Sequence, residues 1–474
     1  MGSNWKTTKL LDHYDIRSGL SKPAKDFGSG HPFLTFKDVF YNYFTPDELG
    51  DLVQSNDKER ENCSVKRGDV FLTRTSETMH ELGMSCVALQ DYENATFNGF
   101  CKRLRPHQNS ELVPEYVGYY LRSPKFRQSM LAFSTMSTRA SLNNEMIGRL
   151  EISYPLEEEQ IEIARVLKNL DDKITLNRQI NQTLEQMAQA LFKSWFVDFD
   201  PVVDNALDTG FFEQDLEFPD ELLRRAETRK TVRENADFKA LPEKIRQLFP
   251  AAFEENSEAS LGLGSWVPVG WEMCKLSDFG AVVCGKTPSK QNKSFYGNDI
   301  PFIKIPDMHG NAFITRTSDN LSFNGSESQI KKLIPKNSIC VSCIATVGLV
   351  SITTKPAHTN QQINSLIPRY EYFRDYLYFS LLNKNKQFHD LASGGSTTLN
   401  MNTRVFSNVP LINPGNVVLQ LFQKESGALL DRIKQSLHEI DVLTNLRDTL
   451  LPKLISGELR LSDSEVDTAE EVLA

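Results

Sequence analysis

Apolar residues recur in steps of three and four from Pro155 to Phe199, and this spacing predicts one long helix. The positions on that side are Ile163, Leu167, Leu170, Ile174, Asn177, Asn181, Leu184, Ala188, Leu191 and Trp195. A stripe this narrow is typical of a coiled-coil seam, so the helix needs a partner. No Pro or Gly interrupts residues 156–199, and at about 1.5 Å per residue the helix would be roughly 60 Å long.

Two amide side chains, those of Asn177 and Asn181, lie in the middle of this seam. A buried amide lowers stability unless it meets a polar partner, so we expect these residues to set the register of the helix pair more than its strength. The alternative is an exposed kink with no role in pairing.

A second long helix is predicted from Val417 to Leu459. Its apolar seam consists of Leu430, Ile433, Leu437, Ile440, Thr444, Leu451 and Leu454. Arg447 interrupts this seam, which is therefore less regular than the first. We expect the two seams to cover one another.

The rest of the chain contains the same pattern twice. The matching segments are Trp5–Asp12 with Trp271–Asp278, His31–Val39 with Ile300–Met308, Arg67–Phe71 with Lys336–Cys340, Asn98–Pro106 with Asn360–Pro368, Tyr116–Leu121 with Tyr372–Leu377, and Arg139–Asn144 with Ser396–Met401. Each copy has short β-rich segments and brief helical ones, and each ends at a proline, Pro155 or Pro414, that leads into a long helix. The chain was thus built by duplication of one globular domain.

These patterns predict an α+β fold in which two similar globular domains are separated by two long helices. The helices would pack as an antiparallel coiled coil, which gives the molecule pseudo-twofold symmetry. The predicted parts are a first recognition domain at 1–154, a first spacer helix at 155–199, a charged connector with one or two helices and little core at 200–264, a second recognition domain at 265–414, a second spacer helix at 415–460, and an acidic, disordered tail at 461–474.

The net charge of −9 at first argues against a nucleic-acid partner, but the acidic residues lie outside the two copies. The net charge is 0 for 1–155, −3 for 156–199, −7 for 200–264, +6 for 265–414 and −5 for 415–474. Both copies are rich in Asn, Gln, Ser, Thr, Tyr and Lys, the side chains that contact base edges and phosphates. Composition alone would equally fit an ordinary mixed-charge surface.

No run of apolar residues is long enough to span a bilayer, and the first residues do not form a signal peptide. The seven scattered cysteines fit buried thiols in a reducing compartment. We therefore expect a cytoplasmic protein with no membrane partner.

Three segments look catalytic or metal-binding. GAVVCGKT, Gly280–Thr287, satisfies the Walker A phosphate-binding pattern, but Pro288 stands where the following helix should run. CVSC, Cys340–Cys343, would place its two thiols on opposite faces of a strand, and no second cysteine pair follows. An adenine methyltransferase needs Asn or Asp before Pro-Pro and an aromatic residue, and neither DPVV at Asp200 nor NPGN at Asn413 fits. We expect no catalytic residues and no metal site.

Nearly the whole chain resembles the specificity subunits of type I restriction–modification systems. The motifs that carry the resemblance are PLEEEQIEIARVLKNLDDKI and NQTLEQMAQALFKSWFVDFDPV at the two ends of the first helix, KIRQLFPAAFEENSE from Lys244, VPVGWE at Val267–Glu272, and the closing RDTLLPKLISGELRL. The second helix departs from the family pattern, because it opens with NPGNVVLQLFQ instead of an acidic run.

The resemblance implies a non-catalytic DNA-binding subunit in which each recognition domain reads one half of a split, asymmetric target. It also implies two methyltransferase subunits and endonuclease-translocase subunits as partners, which would use S-adenosylmethionine, ATP and Mg²⁺, while this chain binds no cofactor. One alternative is the recognition subunit of a fused restriction–methylation enzyme that cuts on both sides of its site. The other is a coiled-coil scaffold that does not bind DNA.

Polar loops at equivalent places in the two copies are the best candidates for DNA contacts. They are Arg74–His80, Ser134–Asn144, Lys304–Asn311 and Ser393–Asn402. Within them we expect Arg74, Thr138, Arg139, Lys304, Ser396 and Thr397 to bind DNA. The alternative is that these residues merely close the loops of their domains.

Overall fold

The computed structural model describes residues 5–76, 81–132, 140–256, 266–393 and 399–461. It forms two compact units: unit 1 is Met1–Thr175 with Val442–Ala474, and unit 2 is Leu176–Asp441. Thr138, Arg139, Ser396, Thr397 and the predicted acidic tail from residue 462 lie outside the described residues.

Short strands and helices make up the globular part of unit 1. The strands are β1 Lys6–Lys9, β2 Tyr14–Ser18, β3 Phe27–Leu34, β4 Asp51–Val53, β5 Val70–Thr73, β6 Thr75–Ser76, β7 Ser85–Val87, β8 Thr96–Phe97, β9 Cys101–Pro106, β10 Ala140–Ser141 and β11 Glu151–Tyr154. The helices are α1 Phe36–Tyr41, α2 Asp57–Asn62, α3 Pro114–Tyr120, α4 Pro124–Ala132 and α5 Asn144–Gly148, followed by the long helix α6 Glu157–Phe196, which continues into unit 2.

Unit 2 begins within α6 and ends within the second long helix. Its other helices are α7 Asp200–Asp208, α8 Asp220–Arg233, α9 Glu243–Arg246, α10 Leu276–Phe279, α11 Phe323–Glu327, α12 Arg374–Leu382, α13 Asn385–Ala392 and α14 Thr403–Ser407, and the second long helix is α15 Asn416–Ser456. The strands are β12 Phe253–Glu255, β13 Trp266–Pro268, β14 Glu272–Lys275, β15 Gly280–Cys284, β16 Tyr296–Gly297, β17 Ile300–Ile303, β18 Phe313–Ile314, β19 Asp319–Leu321, β20 Ile339–Ser342, β21 Val350–Thr353, β22 His358–Thr359, β23 Ile363–Pro368 and β24 Pro410–Asn413.

The two units share a sheet topology, as the duplication predicts, and each sheet of unit 2 has one additional strand, β18 or β16. Unit 1 has a sheet of order β2-β9-β5-β7 and another of order β4-β3-β8. Unit 2 has the orders β15-β23-β20-β21-β18 and β16-β19-β17-β22. In unit 1 the first strand, β1, pairs antiparallel with β11, the last strand before a long helix, and its counterpart β14 pairs in the same way with β24 in unit 2. The internal repeat is therefore a repeat of the fold.

In each unit a tyrosine at the third position of a helix bonds to the second strand of this pair. The sequence match had placed Tyr116 opposite Tyr372, but the structure places it opposite Tyr376, one helical turn later. The Tyr116 hydroxyl on α3 donates to the Ser153 carbonyl of β11 at 2.8 Å, and the Tyr376 hydroxyl on α12 donates to the Ile412 carbonyl of β24. Both rings are buried, so the bond satisfies a hydroxyl that would otherwise be costly to bury.

In unit 1, the start of α6 packs against the end of α15. Ile163 and Leu167 share one apolar core with Leu451 and Leu454, which lie near the other end of the chain. Three acidic residues in the first turn of α6, 157–159, suit the positive end of the helix dipole. The seam residues predicted from the sequence thus line the helix contact in this unit.

In unit 2, the end of α6 packs against the start of α15, so the pair is antiparallel here. The Phe192 ring lies 6.1 Å from that of Phe422, while the carbonyl of Asn177 faces the Ser436 hydroxyl at 3.5 Å. Apolar residues of both seams are buried in this unit, among them Ala188, Leu430 and Ile433, as predicted.

The charged connector has more structure than the sequence predicted. It holds three α-helices, α7, α8 and α9, and an aromatic core built on Phe211, Phe253 and Trp266. Arg229 of α8 donates twice to the buried Asp204 of α7, at 2.9 and 2.8 Å. The high charge of the connector had predicted that it contains little apolar core. Many of its charged side chains instead form ion pairs between its helices. No helix in the described ranges is long and apolar enough to cross a membrane.

Candidate nucleic-acid interface

A tight turn at 98–100 in unit 1 is held by the side chain and backbone of Asn98. The Asn98 amide N–H donates to the Leu34 carbonyl at 3.0 Å, its Oδ1 accepts the Phe100 N–H at 2.8 Å, and its carbonyl accepts the Cys101 N–H at 2.9 Å. An asparagine that bonds the backbone two residues on fixes a turn locally.

Unit 2 contains the same turn at 360–362. The Asn360 N–H donates to the Ile303 carbonyl at 3.1 Å, its Oδ1 accepts the Gln362 N–H at 3.1 Å, and its carbonyl accepts the Ile363 N–H at 3.2 Å. Every bond corresponds to one in unit 1, so the duplication preserved the turn while its tip changed from Gly-Phe to Gln-Gln.

One glycine packs against each turn and explains the Walker-like sequence. A Cβ on Gly19 would lie 2.2 Å from the Asn98 carbonyl oxygen, and one on Gly285 would lie 2.1 Å from that of Asn360. Gly285 thus lies where the backbone allows no side chain. Residues after β15 form a loop and a three-residue 3₁₀ helix, and in this stretch of the described chain no α-helix follows the pattern as phosphate binding requires.

Two further segments meet each turn. Three of these four segments come from loops predicted to bind DNA, and the one at Cys343 does not. In unit 1 the Arg74 N–H donates to the Phe100 carbonyl at 2.7 Å, and the Leu142 N–H donates to the Arg74 carbonyl at 2.8 Å. In unit 2 the Cys343 N–H donates to the Gln362 carbonyl at 2.8 Å, and the Met401 N–H donates to the Cys343 carbonyl at 2.8 Å.

We call this convergence of three segments the turn edge. In unit 1 it comprises residues 98–100, 74–76 and 140–142, and in unit 2 residues 360–362, 343–345 and 399–401. An asparagine caps the short helix after each third segment: Asn143 accepts the Met146 N–H at 2.8 Å. Asn402 accepts the Val405 N–H at 3.0 Å in the same way.

The turn edge of unit 1 carries positive charge and an aromatic ring. Arg74 is exposed, Lys102 is half-buried with its Nζ donating to Ser18 Oγ at 2.9 Å, and Phe100 is 62% exposed. Burial lowers the pKa of the Lys102 amine, and the nearby charge of Arg74 lowers it further. Neither Arg74 nor Lys102 forms a salt bridge with another described residue. Both positive charges are therefore available to bind an anion.

The residues of the turn edge of unit 2 carry no charge, although the exposed Lys286 follows Gly285 beside it. Cys343 stands in the place of Arg74 and is buried, while Asn364 stands in the place of Lys102 and accepts the Thr403 hydroxyl at 3.0 Å. The tip offers two amides, and Thr287 donates to Oε1 of the exposed Gln361. Amides of this kind suit hydrogen bonds to base edges.

Of the predicted DNA-binding residues, Arg74 lies at a turn edge and Lys304 does not. The Lys304 ammonium pairs with Asp319, and its backbone N–H donates to Asp307 at 2.8 Å, as the cap of a 3₁₀ helix. Its loop ends at Gly310 and Asn311, which line a cavity beside the long helices. A role for Lys304 in DNA binding stays a prediction, as do those of Thr138, Arg139, Ser396 and Thr397.

Phe100 and Lys102 were not among the residues predicted to bind DNA. The alignment of Asn98–Pro106 with Asn360–Pro368 already contained both residues, and the invariant Asn with a changed tip was the available signal. A single exposed aromatic residue has no periodicity, however, and only the structure shows that its backbone carbonyl accepts the Arg74 N–H.

The two seam asparagines are buried without side-chain partners. Asn177 is 3% exposed and Asn181 is 9% exposed. Nδ2 of Asn177 and both polar side-chain atoms of Asn181 lack hydrogen bonds within the described ranges. Their role in register stays a prediction, and no hydrogen bond from these side chains supports it.

Arg447, which interrupts the second seam, has a partner across the helix pair. Its Nη1 donates to Asp171 Oδ1 at 2.6 Å, and the Tyr119 hydroxyl donates to the other carboxylate oxygen at 2.8 Å. The Arg447 guanidinium also lies 5.6 Å from the centre of the Tyr43 ring. This ion pair between α6 and α15 is a better-supported register device than the asparagines.

The thiols of the CVSC segment are both buried. Burial raises the pKa of Cys340 to about 12 and that of Cys343 to about 11. Across the described part of the chain, no group of three or more His, Cys, Asp or Glu side chains is placed to hold a metal ion.

Comparison with known proteins gives one family. The profile of the "Type I restriction modification DNA specificity domain" matches residues 2–186 and again 268–444. The HindI specificity subunit of Haemophilus influenzae is 41% identical over 96% of this chain and 100% of its own. The MjaIX specificity subunit of Methanocaldococcus jannaschii is 24% identical, over 97% of this chain and 94% of its own.

A solved structure supports the fold. The S subunit of a type I restriction-modification system from M. genitalium is 13% identical, with a TM-score of 0.53 over 95% of this chain and 96% of that one. The family profile covers most of the chain in two copies, and these copies coincide with the two repeated domains. The chain therefore belongs to the family of type I restriction–modification specificity subunits.

Proposed function

We propose that this chain binds double-stranded DNA and that each unit reads one half of a split, asymmetric target through its turn edge. The observation that carries the proposal is the pair of turn edges: the five hydrogen bonds described above for each edge match, whereas the exposed side chains differ. Phosphate contacts position a protein on DNA, while base contacts specify the sequence. Two unlike half-sites therefore require a shared backbone arrangement that carries different exposed side chains.

We further propose that two methyltransferase subunits and endonuclease-translocase subunits assemble on this chain. Catalysis, with S-adenosylmethionine, ATP and Mg²⁺, would belong to those partners. The packing of Gly285 against Asn360 supports this division, because the nucleotide-like motif has a purely structural explanation. The methyltransferase would flip the target adenine out of the duplex.

Methylome sequencing of a strain that carries the chain with its methyltransferase tests the proposal. We expect methylated adenines in a bipartite target with two different halves, and loss of that methylation when the gene for this chain is deleted. Binding of the purified complex to that target should weaken steeply with salt, as counterion release requires. Salt-insensitive binding, or methylation that does not need this chain, would favour the scaffold alternative.

A further inference from the structure

The Phe100 ring is exposed on a backbone that is held from three sides. The Phe100 N–H is bonded to Asn98 and its carbonyl to Arg74, while the Gly99 N–H donates to the Leu20 carbonyl at 2.9 Å. A Cβ on Gly99 would lie 2.3 Å from Ser21 Oγ, so the turn is also closely packed. The ring therefore projects from a preorganised support.

Other exposed aromatic residues of unit 1 do not share this setting. Tyr41 is 72% exposed, but its ring packs edge-to-face on Phe40 with 4.8 Å between centroids. Phe100 has no such ring contact in the part of unit 1 that the structure describes. Leaving a phenyl ring in water is unfavourable, because burying apolar surface gains about 25 cal/mol per Å².

The surroundings of Phe100 favour an anionic partner with flat apolar surfaces. The Arg74 N–H donates to the Phe100 backbone carbonyl at 2.7 Å, and Lys102 follows Phe100 by two residues, with its pKa lowered by burial and by the charge of Arg74. Phosphates would neutralise these cations, and a base would cover the ring. Duplex DNA presents both, and apolar wedges between base pairs are a common device of proteins that bend it.

We propose that Phe100 stacks at an opened base step in the half-site of unit 1, with Arg74 and Lys102 on the phosphates beside it. This inference rests on the proposed function. Unit 2 has Gln362, Cys343 and Asn364 at the corresponding positions. It therefore reads its half-site through hydrogen bonds and does not open a base step there. The two halves of the target are then recognised by different physical means.

The test uses the complex of this chain with its methyltransferase and duplex targets that carry 2-aminopurine at successive positions. We expect bright fluorescence at one step in the half-site of unit 1, from which Phe100→Ala removes most of the signal. Since stacking of a base on an aromatic ring contributes about 1–3 kcal/mol, the same variant should weaken target binding about ten- to hundredfold. The matched control Tyr41→Ala should change neither result.

Base flipping by the methyltransferase also makes 2-aminopurine bright. The fluorescence of the flipped position in the half-site of unit 2 is therefore the internal control, and it should be equal for the wild-type complex and the Phe100→Ala complex. A target-binding complex with no Phe100-dependent signal would overturn the proposal. So would an effect of Phe100→Ala that disappears when thymine is replaced by uracil, since the ring would then contact a methyl group. If the wild-type complex binds no bipartite target, the proposed function fails instead.

Discussion

The turn edges of units 1 and 2 share a backbone and differ in chemistry. In unit 1 a phenyl ring stands beside Arg74 and Lys102, and in unit 2 two glutamines stand beside Cys343 and Asn364. The repeated domain at 1–155 has a net charge of 0 and that at 265–414 a net charge of +6, yet the residues of the turn edge carry a charge in unit 1 and none in unit 2. If the turn edges bind DNA as proposed, the net charge of a domain is a poor guide to where DNA binds, and a few exposed residues of each turn distinguish the two half-sites.

The largest losses of stability should come from substitutions at the glycines that pack against the turn in each unit. Gly19→Ala and Gly285→Ala each place a methyl group against a backbone carbonyl, so each should lower the free energy of unfolding by about 3 kcal/mol. Denaturant unfolding measures both. Gly50→Ala is the control, because a Cβ there meets nothing within 4 Å. A nucleotide affinity lost on Gly285→Ala would contradict the packing explanation.

In both units a buried tyrosine donates to a carboxylate on α6, Tyr119 to Asp171 in unit 1 and Tyr378 to Glu185 in unit 2, and in unit 1 Arg447 of α15 also pairs with that carboxylate. Arg447→Met should lower the free energy of unfolding by about 2 kcal/mol, because Asp171 stays largely buried with Tyr119 alone. A double-mutant cycle with Asp171→Leu isolates the coupling between the two residues.

Tyr378→Phe is the matched change in unit 2, where the hydroxyl donates to Glu185 at 2.7 Å. It should cost about 1 kcal/mol, as an ordinary hydrogen bond does. Equal losses for Arg447→Met and Tyr378→Phe would mean that the charge in unit 1 adds nothing.

Removing an unpaired amide should stabilise the protein. Asn181→Leu should raise the free energy of unfolding by about 1 kcal/mol, because neither polar atom of its side chain is bonded. The control is Asn205→Leu, which should destabilise, since Asn205 Nδ2 donates to the carbonyls of Arg246 and Phe249. If Asn181→Leu destabilises instead, the amide has a polar partner in solution.

A smaller effect concerns acid stability. His358 on β22 is buried with its Nε2 beside Ser326 Oγ at 2.8 Å, and burial lowers its pKa, whereas the matching residue of unit 1 is Thr96. The unfolded chain therefore binds the proton more readily, and stability should fall as the pH drops below about 6.5.

His358→Thr, which installs the unit 1 residue, should flatten this slope in unfolding measured between pH 7 and pH 5. Burial lowers the pKa of His13 too, so part of the slope should remain. An unchanged slope would show that His358 does not carry the acid sensitivity.

Much of this architecture could be predicted because it depends on repeated or periodic residues. The seams gave both long helices, and the recurring asparagines and prolines gave the duplicated domain. The partner of Arg447 could not be predicted, because Asp171 lies 276 positions away and off the first seam. Phe100 could not be predicted for a related reason: its proposed role depends on Arg74, which is adjacent only in the folded sheet.

The central claim, that each turn edge reads its own half of the target, is tested most directly by mapping methylation with two variants. One is Arg74→Cys with Lys102→Asn, and the other is Gln361→Ala with Gln362→Ala. We predict that each variant loosens recognition of one half-site, a different one in each case, while the other half and the spacing stay unchanged. Loosening of the same half by both variants, or of neither half by either, would contradict the claim.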